Sequence, residues 1–313
     1  MILTVTPNAT VDKTYRVEQF ALNRVNRPSL TYTVAGGKGI NVARVYQTLG
    51  GNALATGFLG GLQGRMVARA MAEEGIPDAF VRTRGETRLC IAIIDPTTGT
   101  QTEVNESGPE IPRRAVTRLK QRVASLLSQQ TFDFVVLSGS LPPGVPTSLY
   151  AELVALAQAH QVRVVLDSSG AALREGIAAR PWMVKPNRVE LEHWAGRALS
   201  SEAEVFEAAR TLAASVPVVA LTLGEEGALL LMPESALRAY PPAIEFVSAV
   251  ASGDSFVAGF LWAWEHGACP RNPEAALRIA VGAGAANAAL IGAGFCSRES
   301  IFALAERAHI AVA

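Results

Sequence analysis

The sequence predicts an α/β fold: a doubly wound, mostly parallel sheet flanked by helices, with a small β-sheet projecting from it. Three observations predict this. From residue 111 onward, apolar strand-like runs alternate with helical patterns, which is the rhythm of βαβ units. Each of these runs empties into a polar or glycine-rich turn, and in such sheets ligands bind at those ends. The β-prone pieces between Tyr15 and Val34 are instead short and mixed, unlike the long apolar runs of central parallel strands.

In order, Ile2 to Thr6 reads as a strand ending at the turn signal Pro7-Asn8. Thr14 to Phe20 and Ser29 to Val34 read as pieces of the projecting sheet. Gly36-Gly37-Lys38-Gly39 then opens a helix running to Leu49, with Gly50 as its stop. Ala53 to Leu59 is a strand, and Met66 to Glu74 a helix closed by Gly75. Thr87 to Ile94 and Thr100 to Asn105 flank Asp95-Pro96-Thr97-Thr98-Gly99 as a hairpin that joins the small sheet. Helices at Arg113 to Ser128 and Thr147 to Ala159 alternate with strands at Phe134 to Leu137, Arg163 to Leu166, Trp182 to Val184 and Val216 to Leu221. Ala243 to Val247 is apolar and β-prone, and Phe256, Phe260, Leu261 and Trp264 have helical spacing.

Composition narrows the function. The 313 residues are 49% hydrophobic and 18% charged, with 27 glycines, a balance that suits a compact enzyme. The 28 basic residues equal the 28 acidic ones and no Lys/Arg run stands out, which argues against nucleic acid as a partner. Cys90, Cys269 and Cys296 lack metal or redox spacing, and the four histidines are scattered. The expectation is free thiols in a reducing cytoplasm and no transition-metal site. The start has no basic leader, and the nearly uncharged stretch 279–295 is shorter than the ~20 residues a bilayer crossing needs, so no membrane is expected. Its glycines and alanines suit close helix packing. With no repeat or linker visible, one domain is expected over 1–313, its projecting part built from about 12–34 and 86–106.

Ser252-Gly253-Asp254-Ser255 carries the chemistry, because small residues stand where a loop becomes a helix. The unpaired amides and the dipole of a first helical turn form an anion site. A carboxylate there would repel a bound anion unless its task is to take a proton beside it, and a base next to an anion hole can move a phosphoryl group onto a hydroxyl. The same residues also suit an ordinary N-cap. Gly36-Gly37-Lys38-Gly39 is a second glycine-rich entry to a helix, and it too is open to a purely conformational reading. Arg88 alone reads equally as a solvated strand residue. The only Gly-Lys pair, Gly37-Lys38, is followed by Gly39, so no P-loop is present, and Gly282-Ala283-Gly284 lies too late for a dinucleotide fingerprint.

Six stretches carry a family likeness: Ala35 to Ala43, Leu137 to Pro142, Asp167 to Ser169, Val184 to Leu191, Thr222 to Gly224 and Ser252 to Ser255. Together and in this order they resemble the phosphofructokinase-B branch of the ribokinase-like sugar kinases, over nearly the whole chain. The resemblance implies a ribokinase-like fold with a β-sheet lid, and ATP- and Mg²⁺-dependent transfer of the γ-phosphoryl to a ketohexose phosphate. Fructose 1-phosphate is the preferred reading, with tagatose 6-phosphate and fructose 6-phosphate as alternatives; Lys38 in place of a fourth glycine disfavours the last. By the same resemblance Asp254 is the base, and the amides of Ala251, Ser252 and Gly253 are the anion hole. Asp12, Gly37 and Asn41 meet sugar hydroxyls and Ser140 is a further substrate contact, while Lys38, Arg88 and Arg27 meet the substrate's own phosphate. Lys185, Asn187, Thr222, Gly224, Gly227 and Asn287 serve the nucleotide, and Glu190 acts on Mg²⁺ largely through water. A homodimer through the lid is a further expectation, and a catalytically silent sugar-phosphate binding protein is the rival from another class. One position departs from the family pattern: Ala251 stands where glycine is usual. Its φ is expected to be negative, because the other motifs are intact.

Overall fold

The structure is a computed structural model describing residues 1–269 and 271–313. In chain order, β1 (Ile2–Thr6) leads into β2 (Thr10–Arg16), β3 (Leu30–Gly36), α1 (Lys38–Thr48), β4 (Ala53–Gly60), α2 (Gly61–Glu73) and β5 (Val81–Thr83). Next come β6 (Arg88–Asp95), β7 (Thr100–Asn105), α3 (Arg113–Gln129), β8 (Phe134–Ser138), α4 (Leu149–Ala159), β9 (Arg163–Asp167), α5 (Gly170–Ala178) and β10 (Met183–Val184). α6 (Arg188–Ala195), α7 (Glu202–Ala213), β11 (Val218–Thr222), β12 (Ala228–Met232) and β13 (Ser235–Tyr240) follow. α8 (Ser252–His266), α9 (Pro273–Ala288), α10 (Arg298–Arg307) and β14 (His309–Val312) close the chain.

The large sheet has ten strands in the order β14-β13-β12-β11-β10-β9-β8-β1-β4-β5. From β5 to β11 every neighbouring pair is parallel. β1 lies in the middle with Ile2, Leu3 and Val5 fully buried, the continuous apolar pattern that a strand covered on both faces requires. Apolar side chains on the two faces form two separate clusters, one under α1, α8 and α9 and the other under α3, α4 and α7. The small sheet has the order β3-β2-β6-β7. Its outer strand β7 is almost wholly exposed. Among the described residues no helix is long and apolar enough to cross a membrane.

Several features differ from the sequence reading. The strand expected at Thr14 to Phe20 lies at Thr10–Arg16, and the helix expected from Met66 begins at Gly61. Residues 243–247 form no strand: Pro241 and Pro242 supply no N–H to a ladder, and the amides of Val247 and Ser248 turn instead to the Ala288 carbonyl, at 2.9 and 3.2 Å. The antiparallel extension β12-β13-β14 is also absent from that reading. The chain reverses into it through Gly227, at φ 90°, where a Cβ would lie 2.0 Å from the Ala239 carbonyl oxygen.

α8 is held by close helix contacts that only small residues permit. A Cβ on Gly259 would sit 2.9 Å from the Ile279 carbonyl of α9, and one on Gly282 would sit 2.7 Å from the Ile301 carbonyl of α10. The glycine- and alanine-rich stretch therefore serves packing, and through it the first turn of α8 is fixed over the sheet.

Candidate active site

β1, β8, β9 and β10 are parallel, so the residues at or just past their carboxyl ends share one edge: Asn8, Ser140, Asp167 and Lys185. The first turns of α1 and α8 face the same edge. Asp254, in the first turn of α8, is buried, and its Oδ2 accepts a 2.8 Å hydrogen bond from Asn41 Nδ2. Burial is the main cause that pushes its carboxyl up to about 6, with Asp167 adding and with Lys38 and the Asn41 bond opposing. It forms no ion pair among the described residues, so one carboxylate oxygen stays uncommitted.

Asn41 is oriented in turn. Its Oδ1 accepts from Arg44 Nη1 at 3.0 Å, which obliges the amide nitrogen to face Asp254. Arg44 is buried, paired with Glu74 through Nε at 2.6 Å, and donates to the carbonyls of Ala35 and Ala293. Asn41, expected at a sugar hydroxyl, is thus committed first to aiming the carboxylate.

Lys38 also departs from expectation. Its ammonium donates to both oxygens of Asp167, at 3.0 and 3.2 Å, and Lys185 Nζ lies 3.4 Å from the same carboxylate. Asp167 is fully buried: burial alone would raise its pKa, and Lys185 and Lys38 pull it below the usual range. For Lys38, burial works to lower the pKa, and Asp167, Asp254 and Glu190 outweigh it and hold the ammonium above its ordinary value. Lys185 reaches the helix start, since a Cβ on Gly253 would stand 3.4 Å from its Nζ. Lys38 and Lys185 thus stand against two carboxylates, Asp167 and Asp254, beside the first turn of α8, and this contact places Lys38 in this cluster and not with Arg88.

Of the three helix-start amides expected to form an anion hole, not all are free. Ser252 N–H turns back to the Ala249 carbonyl at 3.2 Å, while Gly253 and Asp254 stand in the first turn, where amides have no intrahelical acceptor. Ala251 is the N-cap at φ 63°, ψ 8°, so the expectation of a negative φ is wrong. The turn that aims these amides needs a left-handed residue, and a Cβ there costs roughly 1–2 kcal/mol. Ala251→Gly is therefore expected to be at least as stable as wild type in urea unfolding, the removed strain offsetting the roughly 0.4–1 kcal/mol that glycine's freer unfolded chain costs. A loss of about 1 kcal/mol or more would show the left-handed turn to be absent in solution.

Asn287 does not present a free group to a nucleotide. It is buried, donates to the Val250 carbonyl at 2.6 Å and to Ser252 Oγ at 3.2 Å, and accepts from Gly294 N–H at 2.8 Å. It clamps the loop that carries Ala251.

On the lid side, the Asp12 carboxylate lies over the backbone of Gly36, where a Cβ would be 2.0 Å from Oδ2. Burial chiefly raises its pKa to about 6; Arg88 opposes and Asp254 adds. Arg88 donates to the carbonyls of Asn8 and Glu106 at 3.3 and 2.9 Å, and Asn8 Nδ2 donates to Ser140 Oγ at 3.1 Å. Gly37, at φ 110°, has Thr6 Cγ2 only 2.8 Å from where a Cβ would be. Arg27 is not brought to this cluster; it is exposed on the connection between β2 and β3.

Toward β11, Asn187 and Glu190 form a reciprocal cap of α6: Asn187 Oδ1 accepts from Glu190 N–H and Glu190 Oε2 from Asn187 N–H, both at 2.8 Å. Glu190 Oε1 remains available, and the charge of Glu190 is felt by Lys38. Thr222 Oγ1 donates to the Pro186 carbonyl at 3.4 Å, and Gly224, at φ 63°, begins the turn that ends at Gly227.

Three residues escaped assignment from the sequence. Asp167 ends an otherwise apolar run, and a buried strand-end carboxylate needs cations, which is the signal that was there to read. Arg44 stands three residues from Asn41, one helical turn away. Asn8 offered no signal beyond a turn.

A buried carboxylate beside free helix-start amides, with ammonium groups opposite and a β-sheet lid above, defines a phosphotransferase of the carbohydrate kinase class on a ribokinase-like fold. The pfkB carbohydrate kinase family profile matches residues 5–300. A 1-phosphofructokinase of Rhodobacter capsulatus is 41% identical over 263 residues, covering 84% of this chain and 83% of the relative. A tagatose-6-phosphate kinase of Staphylococcus epidermidis is 38% identical, covering 83% and 84%. The Escherichia coli phosphofructokinase-2 solved with potassium superposes with a TM-score of 0.89 at 29% identity, over 98% of each chain. The chain belongs to the pfkB family of carbohydrate kinases.

Proposed function

We propose that this sugar-phosphate kinase moves the γ-phosphoryl of ATP onto fructose 1-phosphate, giving fructose 1,6-bisphosphate and ADP. The observation that carries the reading is Asp254: buried, raised to about 6, aimed by Asn41 and adjoining the unpaired amides of α8. The acceptor hydroxyl attacks the γ-phosphorus in line, its proton passes to Asp254, and the bond from the γ-phosphorus to the β,γ-bridging oxygen breaks. Little covalent work is asked of the protein, so positioning and charge stabilisation dominate. Gly253 and Asp254 N–H, with Lys38 and Lys185, receive the transferring group. Asp12 binds a sugar hydroxyl and Arg88 the sugar's own phosphate, with Ser140 beside it; a guanidinium suits a dianion. The lid closes over the sugar and excludes water, the competing acceptor.

Mg²⁺ fits the residues present. It keeps most of its waters and takes phosphate oxygens, so one carboxylate suffices, and Glu190 has an oxygen to spare. Bound, the ion would neutralise phosphate charge; Glu190 would orient its waters. Thr222, Gly224 and Gly227 line the nucleotide side. A second copy of the chain is the partner suited to the lid, where Leu22 and Val25 are 81% and 79% exposed, a pattern that fits a homodimer.

The choice of acceptor follows the Rhodobacter relative's name; the Staphylococcus relative makes tagatose 6-phosphate the second reading. A coupled ADP-release assay decides. The expected result is a kcat/KM for fructose 1-phosphate at least tenfold above those for tagatose 6-phosphate and fructose 6-phosphate. A reversed order would replace the acceptor, and no ADP from any of the three would leave a sugar-phosphate binding protein.

A further inference from the structure

At the β5 edge of the large sheet lies a cleft of about 510 Å³ whose lining includes Arg82, Arg84, Gly85, Glu110, Arg114 and Arg118. None of these belongs to the reacting site. Arg82 is paired with Asp78 at 3.1 Å. Among the described ion pairs Arg84, Arg114 and Arg118 take no part, so three guanidinium groups face one lining carboxylate. The chain as a whole is neutral, with 28 basic and 28 acidic residues, so this excess is local. The volume falls within the roughly 300–1,000 Å³ of small-molecule sites, and forked guanidinium groups match phosphate oxygens.

The position gives the cleft a mechanical meaning. Arg84 and Gly85 lie on the connection that enters the lid at β6, and Glu110 lies on the connection that leaves it from β7. The two connections touch: a Cβ on Gly85 would lie 2.5 Å from Pro109 Cβ. Just beyond the contact, Arg88 donates to the Glu106 carbonyl at 2.9 Å and Asn8 to the Ser107 carbonyl at 3.0 Å. An anion gripped between Arg84 on one connection and Arg114 and Arg118 on α3 would fasten that crossing to the body, and the second crossing with it through the Gly85–Pro109 contact.

We infer that this cleft is an effector site for a small anion carrying two or more phosphate groups, and that its occupation restrains the lid. The net charge of the unpaired groups, three arginines against Glu110, calls for more than a monoanion. The source is a nucleotide or a sugar bisphosphate, which share this chemistry. Binding stands apart from the kinase reading; the consequence for turnover rests on it.

The test is calorimetric titration of pyrophosphate into the full chain and into R84A/R114A, paired with amide hydrogen exchange of β6 and β7. Both substituted side chains are exposed, and circular dichroism checks the fold of the variant. The expected result is a binding event weakened at least tenfold in R84A/R114A, with exchange over 86–106 slowed by pyrophosphate in wild type and unchanged in the variant. Equal affinity in the two proteins overturns the site. Binding lost in the variant without any slowing in wild type overturns the coupling to the lid, and inorganic phosphate binding as tightly as pyrophosphate overturns the ligand class. ATP and fructose 1,6-bisphosphate titrated in the same way distinguish the sources: the one whose binding includes a component lost in R84A/R114A is the effector. Because only cleft residues are changed, that component reads the cleft whether or not the chain proves to be a kinase.

Discussion

Asp254→Asn is expected to lower kcat by roughly 10²-fold or more while leaving ATP affinity nearly unchanged. Asparagine keeps the shape and can still meet Asn41, but it cannot take the hydroxyl proton. The same change is expected to stabilise the fold near neutral pH. A carboxyl whose folded pKa is raised from 3.8 to about 6 favours folding fully below the unfolded value and loses that contribution as pH rises through 6, because the buried charge must then be held. Asparagine resembles the protonated form, so the variant keeps what the wild type loses, at most about 3 kcal/mol by linkage. Loss of activity with gain of stability is the mark of a residue kept for chemistry. Urea unfolding at pH 7.5 and steady-state kinetics read the two halves, and a variant that turns over like wild type would remove Asp254 as the base.

The second large effect belongs to Asp167→Ala. Lys185 is almost fully buried and shares this carboxylate with Lys38, which is partly exposed. Removing the anion leaves Lys38 able to reach water and Lys185 unable to. Breaking a buried pair in this way costs about 3–5 kcal/mol. The sign with pH is opposite to that of Asp254: Asp167 is depressed in the folded protein, so its contribution is present above the unfolded value near 4 and disappears as pH falls through the folded one. The stability gap between wild type and variant should therefore narrow in acid. A gap below about 1 kcal/mol at pH 7 would show that the lysines do not depend on this carboxylate.

Much of this was legible in the sequence. The parallel strands announced themselves by apolar runs ending in polar turns, and the lid by its lack of such runs. Ser252-Gly253-Asp254 and Gly36-Gly37-Lys38 stood at helix starts, and the structure has helices there. What failed was whatever depends on neighbours distant in sequence. Ala243 to Val247 had strand-like composition, but Pro241-Pro242 and the demand of the Ala288 carbonyl decided its path. Ala251 adopts a left-handed conformation that alanine does not favour, because Asn287, thirty-odd residues later, binds the Val250 carbonyl and Ser252 Oγ and fixes the turn. Lys38 was placed with Arg88 by the family resemblance; only the fold shows that Asp167 draws Lys38 toward Lys185. Among the 28 basic residues only Lys13, Lys38, Lys120 and Lys185 are lysines, so two of four meeting at one carboxylate was a clue that composition held and pattern reading passed over.

The pH dependence of kcat/KM tests the role of Asp254 most directly. With a base raised to about 6, activity must fall tenfold per pH unit below that value as the carboxyl takes up its proton, and the residual activity of Asp254→Asn must lack this limb. Asp12 titrates in the same range, so the variant is the necessary half of the measurement. A wild-type profile flat down to pH 5, or an acid limb that survives unchanged in Asp254→Asn, would contradict the assignment of this carboxylate as the proton acceptor.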